Sequence, residues 1–477
     1  MDAIELLIMS ERPVVRADQR SELDVVVEIR CKSKSGDSKV SAGHAVNVAI
    51  VLDRSGSMEG EKLTAAKASC TGVLKALRAE DLLTVVVFDD EAEVVVNPQV
   101  PREAASLKIA SIDSGGQTNL ALGWYLGLLE LQTHATPQHN NRLLLLSDGQ
   151  ANAGETKKSV LASEASKSRD LGITTSTIGI GDDFQEDLLD AIATESGGRF
   201  WYIKESRIED IIEEEFQGSL SVALDRPRVE VRLPAGVSIS RELNQLSKVS
   251  GKYRLRPLKG DDYFNLAIRL DIQSQDAADI ELTAALYDGE RLIRESSNTI
   301  RRVPPATFLQ ATTNPLVASV VQQFLASTSN EQILANMADG DLNLMKKMLI
   351  AEVNGMRVVQ DALAADPADD RFVAELRHLG MDMAFKGASI TVADLLQDFP
   401  AEPEVRSYMR RWRKVAIHNQ HRMANRRHDV LDFDVDLFES LVQGAIDLVD
   451  ILIARYPDRA ERLLEQQRTL REQLARH

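Results

Sequence analysis

The stretch that decides the fold is VNVAIVLDRSGSM, residues 46–58. Its first eight residues are an almost unbroken apolar run that ends in Asp53. A strand buried on both faces has that composition, because neither face alternates with polar residues. Arg54-Ser55-Gly56-Ser57 then forms a short polar loop, and EKLTAAKASCTGVLKALR after it has helical spacing. The same order repeats along the chain. LLTVVVF and EAEVVV read as strands joined only by a polar pair, hence as an antiparallel hairpin at a sheet edge. Helices are predicted near 103–112 and over 119–131, 155–171, 185–195 and 208–216. Between them lie the strands NRLLLLS, ITTSTIGI and RFWYI. Strands alternating with helices imply a doubly wound, mostly parallel sheet with helices on both faces. This Rossmann-like domain is expected over residues 45–217.

Either side of it the period changes. The run LDVVVEIRCKS (residues 23–33) reads as strand, and residues 1–44 as the first strands of a β-sandwich. Residues 218–303 carry the rest: SVALDRPRVEVRLP, KYRLRPL, YFNLAIRLDI, DIELTAALYDG and ERLIRESSNTIRRV, with an Asp-Gly hairpin turn at YDGER. The simplest arrangement is one antiparallel sandwich into which the α/β domain is inserted. Pro304-Pro305 marks a boundary, and 304–477 reads as a helical C-terminal region. Its helices are expected over 315–326, 341–363, 371–386, 392–397, 404–427, 436–454 and 459–475.

Bulk composition narrows the function classes. The chain has 477 residues, too many for one core, so several domains are expected. A net charge of -17 argues against general nucleic-acid binding. The two cysteines, Cys31 and Cys70, cannot form a disulfide framework for this length, and the N-terminus has no basic segment before its apolar one. No membrane helix is expected, because Glu439, Asp447 and Asp450 interrupt the most apolar stretch, 437–453. The expected location is the cytoplasm.

Three pieces carry candidate chemistry. The first is Asp53-Arg54-Ser55-Gly56-Ser57, the second Gly115-Gly116-Gln117-Thr118-Asn119-Leu120, and the third Ser147-Asp148-Gly149 after the apolar LLLL. Each stands at a strand end or just before a helix, and ligands of open parallel sheets bind beyond the carboxyl ends of the strands. Asp53, Ser55, Ser57, Thr118 and Asp148 together offer two carboxylates and three hydroxyls. These are hard oxygen donors, suited to Mg²⁺, Mn²⁺ or Ca²⁺ and poor for Zn²⁺.

The Asp-x-Ser-x-Ser, later Thr and later Asp-Gly pattern resembles the metal-ion-dependent adhesion site of the von Willebrand factor A (VWA) family. Ser-Gly-Ser-Met, Gly-Gly-x-Thr-Asn-Leu and Ser-Asp-Gly are similar to its bacterial and intracellular branch. The flanking β region resembles the inter-alpha-trypsin inhibitor heavy-chain arrangement. The resemblance implies that Ser55 and Ser57 bind a divalent ion, Mg²⁺ first among them, through Oγ. It implies that Thr118 binds directly when a partner is engaged, and that Asp53 and Asp148 bind directly or through water. An acidic residue of a partner protein would complete the shell. The expected function is therefore a metal-dependent protein-binding adaptor or scaffold. Two other readings stand beside it: a regulatory subunit of an ATPase or chelatase-like system, or a metal-dependent enzyme; and a self-assembling structural protein.

Other motifs carry less. There is no Gly-x-Ser-x-Gly elbow and no phosphate loop, so no catalytic residue is assigned. His418 and His421 are spaced i, i+3, with His428 beyond, but lack the Glu or Cys of a zinc site. Asp432, Asp434 and Asp436 resemble the start of an EF-hand loop, yet Leu437 and Gln443 occupy the positions that need Gly and Glu. The helix 405–428 is strongly basic, with Arg406, Arg410, Arg411, Arg413, Lys414, Arg422, Arg426 and Arg427. Its simplest partner is an acidic face of the same chain; an acidic protein partner or nucleic acid are alternatives.

Overall fold

The computed structural model describes residues 4–32, 45–136, 139–220, 222–244, 246–260, 262–274, 279–338, 341–364, 370–425 and 431–474. Three strands open the chain: β1 (Ile4–Ser10), β2 (Val14–Arg16) and β3 (Ser21–Cys31). An α/β segment comes next. Its strands are β4 (Ala45–Asp53), β5 (Leu82–Phe88), β6 (Ala92–Val96), β7 (His139–Ser147), β8 (Ile173–Ile180) and β9 (Phe200–Ile203). Its helices are α1 (Glu61–Ala76), α2 (Arg102–Ala110), α3 (Leu120–His134), α4 (Lys158–Asp170), α5 (Glu186–Ser196) and α6 (Ile208–Leu220). Strands resume with β10 (Val222–Leu224), β11 (Pro227–Arg232), β12 (Val237–Glu242), β13 (Lys248–Val249), β14 (Lys252–Arg254), β15 (Leu258–Lys259), β16 (Tyr263–Ile272), β17 (Ile280–Asp288) and β18 (Arg291–Val303). Helices close it: α7 (Pro305–Leu309), α8 (Pro315–Ala338), α9 (Leu342–Ala364), α10 (Asp370–Asp398), α11 (Pro403–Asn425), α12 (Leu431–Arg455) and α13 (Ala460–Leu474).

The chain divides into two compact units. One comprises Cys31–Pro227 with Leu255–Asp261, the other Met1–Arg30, Arg228–Arg254 and Asp262–His477. The α/β unit has a six-stranded sheet in the order β6-β5-β4-β7-β8-β9. All neighbours are parallel except β5–β6, the antiparallel edge hairpin anticipated from its two-residue link. Up to Asp53 the central strand is apolar but for Asn47, because it is covered on both faces: Val46, Val48, Ala49, Ile50, Val51 and Leu52 are all buried. The chain leaves β4 for β5 on one side and returns to β7 on the other. The crevice beyond the carboxyl ends of β4 and β7 is therefore the topological switch point, where open α/β sheets bind ligands. The segment Leu255–Asp261 joins this unit through β15, which pairs antiparallel with β10.

The second unit holds two sheets, β1-β3-β16-β12 and β13-β14-β11-β17-β18-β2. Each combines strands from before and after the α/β segment. The ten-residue β3–β16 register, Ser21 opposite Ile272 through Arg30 opposite Tyr263, is the largest such link. One expectation needs correction: the strands are not antiparallel throughout. β2 runs parallel to β18, with Val14 opposite Arg301. The reason is the bend Glu11–Arg12–Pro13, which carries the chain from the first sheet to an edge of the second instead of turning it back as a hairpin. The Asp-Gly turn at 288–289 joins β17 to β18, with Gly289 at φ +61°.

Helices α9, α11, α12 and α13 of this unit are amphipathic. Val317, Val320, Val321 and Phe324 of α8 pack on Val26 and Ala267 of the first sheet and on Leu243. The helices anticipated at 371–386 and 392–397 are one, α10. Its middle tolerates Gly387 and Ser389 because Ser389 Oγ bonds back to the Phe385 carbonyl (2.7 Å) and accepts from Trp412 Nε1 (3.1 Å). Trp412 also stacks on Phe385, with ring centroids 5.9 Å apart. On α11 the basic residues are split. Arg406, Arg410 and Arg413 are exposed, whereas Lys414, His418 and His421 are buried. Arg411 donates to Ser440 Oγ of α12 (2.6 Å). The acidic stretch that resembles an EF-hand start lies in α12, a helix and not a loop; His428 falls outside the described residues. α12 turns Leu441, Val442, Ala445, Ile446 and Val449 inward and leaves Glu439, Asp447 and Asp450 toward solvent. No described helix is long and apolar enough to cross a membrane.

Candidate metal centre

The parallel register brings the predicted residues to one edge. Leu52 of β4 is opposite Leu146 of β7, so Asp53 is level with Ser147, and Asp148 is the next residue out. Neither aspartate could reach the other's loop if the strands ran antiparallel.

Local hydrogen bonds then shape the loops. Asp53 Oδ1 accepts from the Ser55 amide (2.9 Å), which bends the chain sharply after the strand. Met58 is fully buried and anchors the far end of the same loop. The Arg54 carbonyl accepts from the Gly115 amide (2.8 Å), and the Gly116 carbonyl from the Gly56 amide (3.4 Å). Gly116 itself sits at φ +76°, and a Cβ there would overlap the Asp90 side chain. Thr118 is held from the third loop. Its amide donates to Asn152 Oδ1 (3.0 Å) and its carbonyl accepts from the Asn152 amide (3.2 Å). Three loops that are far apart in sequence are thus cross-tied.

Four of the five predicted side chains form a chain of contacts. Ser55 Oγ and Ser57 Oγ are 3.2 Å apart, and Ser57 Oγ donates to Asp148 Oδ1 at 2.7 Å. Asp53 closes the row behind them through the Ser55 amide and through Ser147 Oγ, which donates to Oδ2 at 2.6 Å. Thr118 faces the same space across Gly149. A Cβ on Gly149 would lie 3.0 Å from Thr118 Oγ1 and 3.5 Å from Ser57 Oγ. Only a residue without a side chain leaves that space between the hydroxyls clear. Asp53, Ser55, Thr118 and Asp148 are buried; Ser57 is exposed, and the centre opens to solvent there.

The electrostatics fit a cation. Burial pushes the Asp53 carboxyl up to about 6, against hydrogen bonds from Ser147 and Ser55 that pull it down; the nearby Asp148 adds to the rise. No basic side chain pairs with Asp53 among the described residues. A divalent ion would supply the missing positive charge. Among the described residues no three His, Cys, Asp or Glu gather as a metal cage. Here two carboxylates and three hydroxyls converge instead, which suits a hard ion.

Three participants were not anticipated. Ser147 stands out in the sequence only as part of Ser-Asp-Gly; its hydrogen bond to Asp53 comes from the β4–β7 register. Asn152 has no sequence signal. Lys62, in the first turn of α1, donates to Asp148 Oδ2 at 2.7 Å.

This fold is that of a VWA domain. Residues 47–214 match the family model for the von Willebrand factor type A domain, so the chain carries one. It is similar to an uncharacterised protein of Synechocystis, 28% identical over 201 residues, covering 42% of this chain and 46% of that protein. It is also similar to human inter-alpha-trypsin inhibitor heavy chain H3, 27% identical over 163 residues, covering 32% of this chain and 18% of that one. Both matches span less than half the relative's length. Among solved structures, a von Willebrand factor type A protein from Catenulispora acidiphila aligns over 82% of this chain and 89% of its own. Its TM-score is 0.57 at 15% identity. The ArnB paralog VWA2 from Sulfolobus acidocaldarius aligns over 88% and 98%, with TM-score 0.54 at 13% identity. These two likenesses concern the fold, and they extend well beyond the α/β segment.

Proposed function

We propose that this chain is a metal-dependent protein-binding adaptor or scaffold. In this reading Asp53, Ser55, Ser57, Thr118 and Asp148 hold one divalent ion, Mg²⁺ in preference to Mn²⁺ or Ca²⁺. A Glu or Asp of a partner protein fills the coordination position that the protein leaves open. The observation that carries the reading is the convergence of two buried carboxylates and three hydroxyls at the switch point, with Gly149 keeping the space between them clear. The ion would act there as a Lewis acid for a carboxylate ligand. Asp53 and Asp148 balance its charge, and the hydroxyls add donors without adding charge. Protein interaction through a metal is common among domains of this family, which supports the reading. The domain limits of the sequence reading, 45–217 for the VWA domain within a sandwich of 1–44 and 218–303 and a helical region of 304–477, belong to the same proposal, as does a cytoplasmic location.

The test is capture of partners by the full chain in Mg²⁺, in EDTA, and with Asp53→Ala. The expected result is one set of proteins retained in Mg²⁺ and lost in the other two conditions. Retention of the same proteins in all three would overturn the reading. EDTA-sensitive, concentration-dependent oligomers without a foreign partner would favour self-assembly instead.

A further inference from the structure

Lys62 is the one basic group in contact with the candidate metal centre among the described residues. It sits in the first turn of α1, where the helix dipole favours anions and disfavours a cation. Asp148 is one group that holds it there. The ammonium lies 2.7 Å from Oδ2, with the carboxylate fully buried and the lysine side chain 24% exposed. The two aspartates of the centre are therefore not equivalent. Asp53 is met only by hydroxyl and amide donors, whereas Asp148 already has a full positive charge on one oxygen and the Ser57 hydroxyl on the other.

Two carboxylates and Lys62 leave the centre at -1, and a divalent ion takes it to +1. Without Lys62 the same centre would go from -2 to neutral. We propose that Lys62 is a built-in cation that sets the charge of the centre. It weakens the hold on the divalent ion and strengthens the hold of the loaded centre on an anionic partner group. With Lys62 in place, one incoming carboxylate brings the loaded centre to neutrality; without it, the carboxylate leaves an excess negative charge in a partly buried site. Lys62 thus decides both how readily the ion exchanges and how strongly a carboxylate is preferred over a neutral oxygen ligand. This inference rests on the metal-binding reading above.

The experiment uses the full chain with Lys62→Met, which keeps the length of the stem, and Lys62→Arg, which keeps the charge. Each is titrated with MgCl₂ by calorimetry, in sodium chloride and in sodium acetate of equal ionic strength. Lys62→Met is expected to bind Mg²⁺ about tenfold more tightly than wild type, with Lys62→Arg close to wild type. Acetate, as the carboxylate probe, should tighten Mg²⁺ binding in wild type and in Lys62→Arg, and do so less in Lys62→Met. Should Lys62→Met not fold, Lys62→Gln takes its place with the same expectation. A folded variant without the charge that binds Mg²⁺ as weakly as wild type, or more weakly, would overturn the proposal and leave Lys62 a helix anchor. If wild type itself binds no Mg²⁺, the metal-binding reading fails and takes this one with it.

Discussion

Replacing Asp53 by Asn separates the cost of the metal centre from its use. Asn keeps the shape of the side chain and an oxygen for the Ser55 amide, and the Ser147 hydroxyl can turn to accept from the new amide. What it removes is a buried charge. Burial raises the Asp53 carboxyl from an ordinary 3.8 to about 6. The folded state therefore holds the proton more tightly than the unfolded state. The wild type loses stability as pH rises from about 4 to about 6, and the loss is complete above that. Two pKa units correspond to roughly 3 kcal/mol. In EDTA, Asp53→Asn should therefore match the wild type near pH 4 and exceed it by about 2–3 kcal/mol at pH 7.5. In Mg²⁺ that advantage should largely vanish, because ion at about a hundred times its dissociation constant adds ~2.7 kcal/mol to the wild type alone. The assay is urea unfolding followed by tryptophan fluorescence in a Trp412→Phe background. The remaining reporters, Trp124 and Trp201, are both buried in the α/β unit. An Asp53→Asn protein that is less stable than wild type in EDTA by the same amount at every pH would refute the reasoning. It would mean that Asp53 is a structural hydrogen-bond acceptor and not a charge held in reserve.

Two further substitutions probe other links. Gly149→Ala places a methyl group against Thr118 Oγ1 and Ser57 Oγ, so Mg²⁺ affinity should fall by about tenfold or more while stability changes by less than ~1 kcal/mol; unaltered affinity by calorimetry would place the ion elsewhere. Trp412→Ala removes a buried ring stacked on Phe385 and a hydrogen bond to Ser389, and should cost about 3–5 kcal/mol; amide-exchange protection in α10 and α11 would fall accordingly, and unchanged protection would show that this side chain does not hold the helices together.

Much of the fold and the centre is legible in the residues, and for definable reasons. The run Val46–Val48–Leu52 lacks alternation because β4 is the central strand of a parallel sheet, and burial on both faces leaves that mark in composition. The two-residue link between LLTVVVF and EAEVVV could only be a hairpin, so the antiparallel edge is readable as well. Asp53, Thr118 and Asp148 are identifiable because each adjoins a strand end or a helix start. Contacts set by side-chain reach are not. Lys62 looks like any lysine of an amphipathic helix until the β7 loop is placed beside it. Asn152 acts through backbone atoms of a residue 34 positions away, a separation that carries no pattern. β2 escapes recognition as a parallel strand because three residues after a proline bend carry no register signal. Ser389 hides the continuity of α10, since a hydroxyl that bonds back to its own helix reads locally as a breaker.

Asp53, Ser55, Ser57, Thr118 and Asp148 are proposed to hold one divalent ion. Calorimetric titration of the full chain with MgCl₂ at pH 7.5, beside Asp53→Ala, tests it most directly. A single saturable site is expected in wild type, and no measurable binding in the variant. Equal binding by both proteins, or none by the wild type, would contradict it.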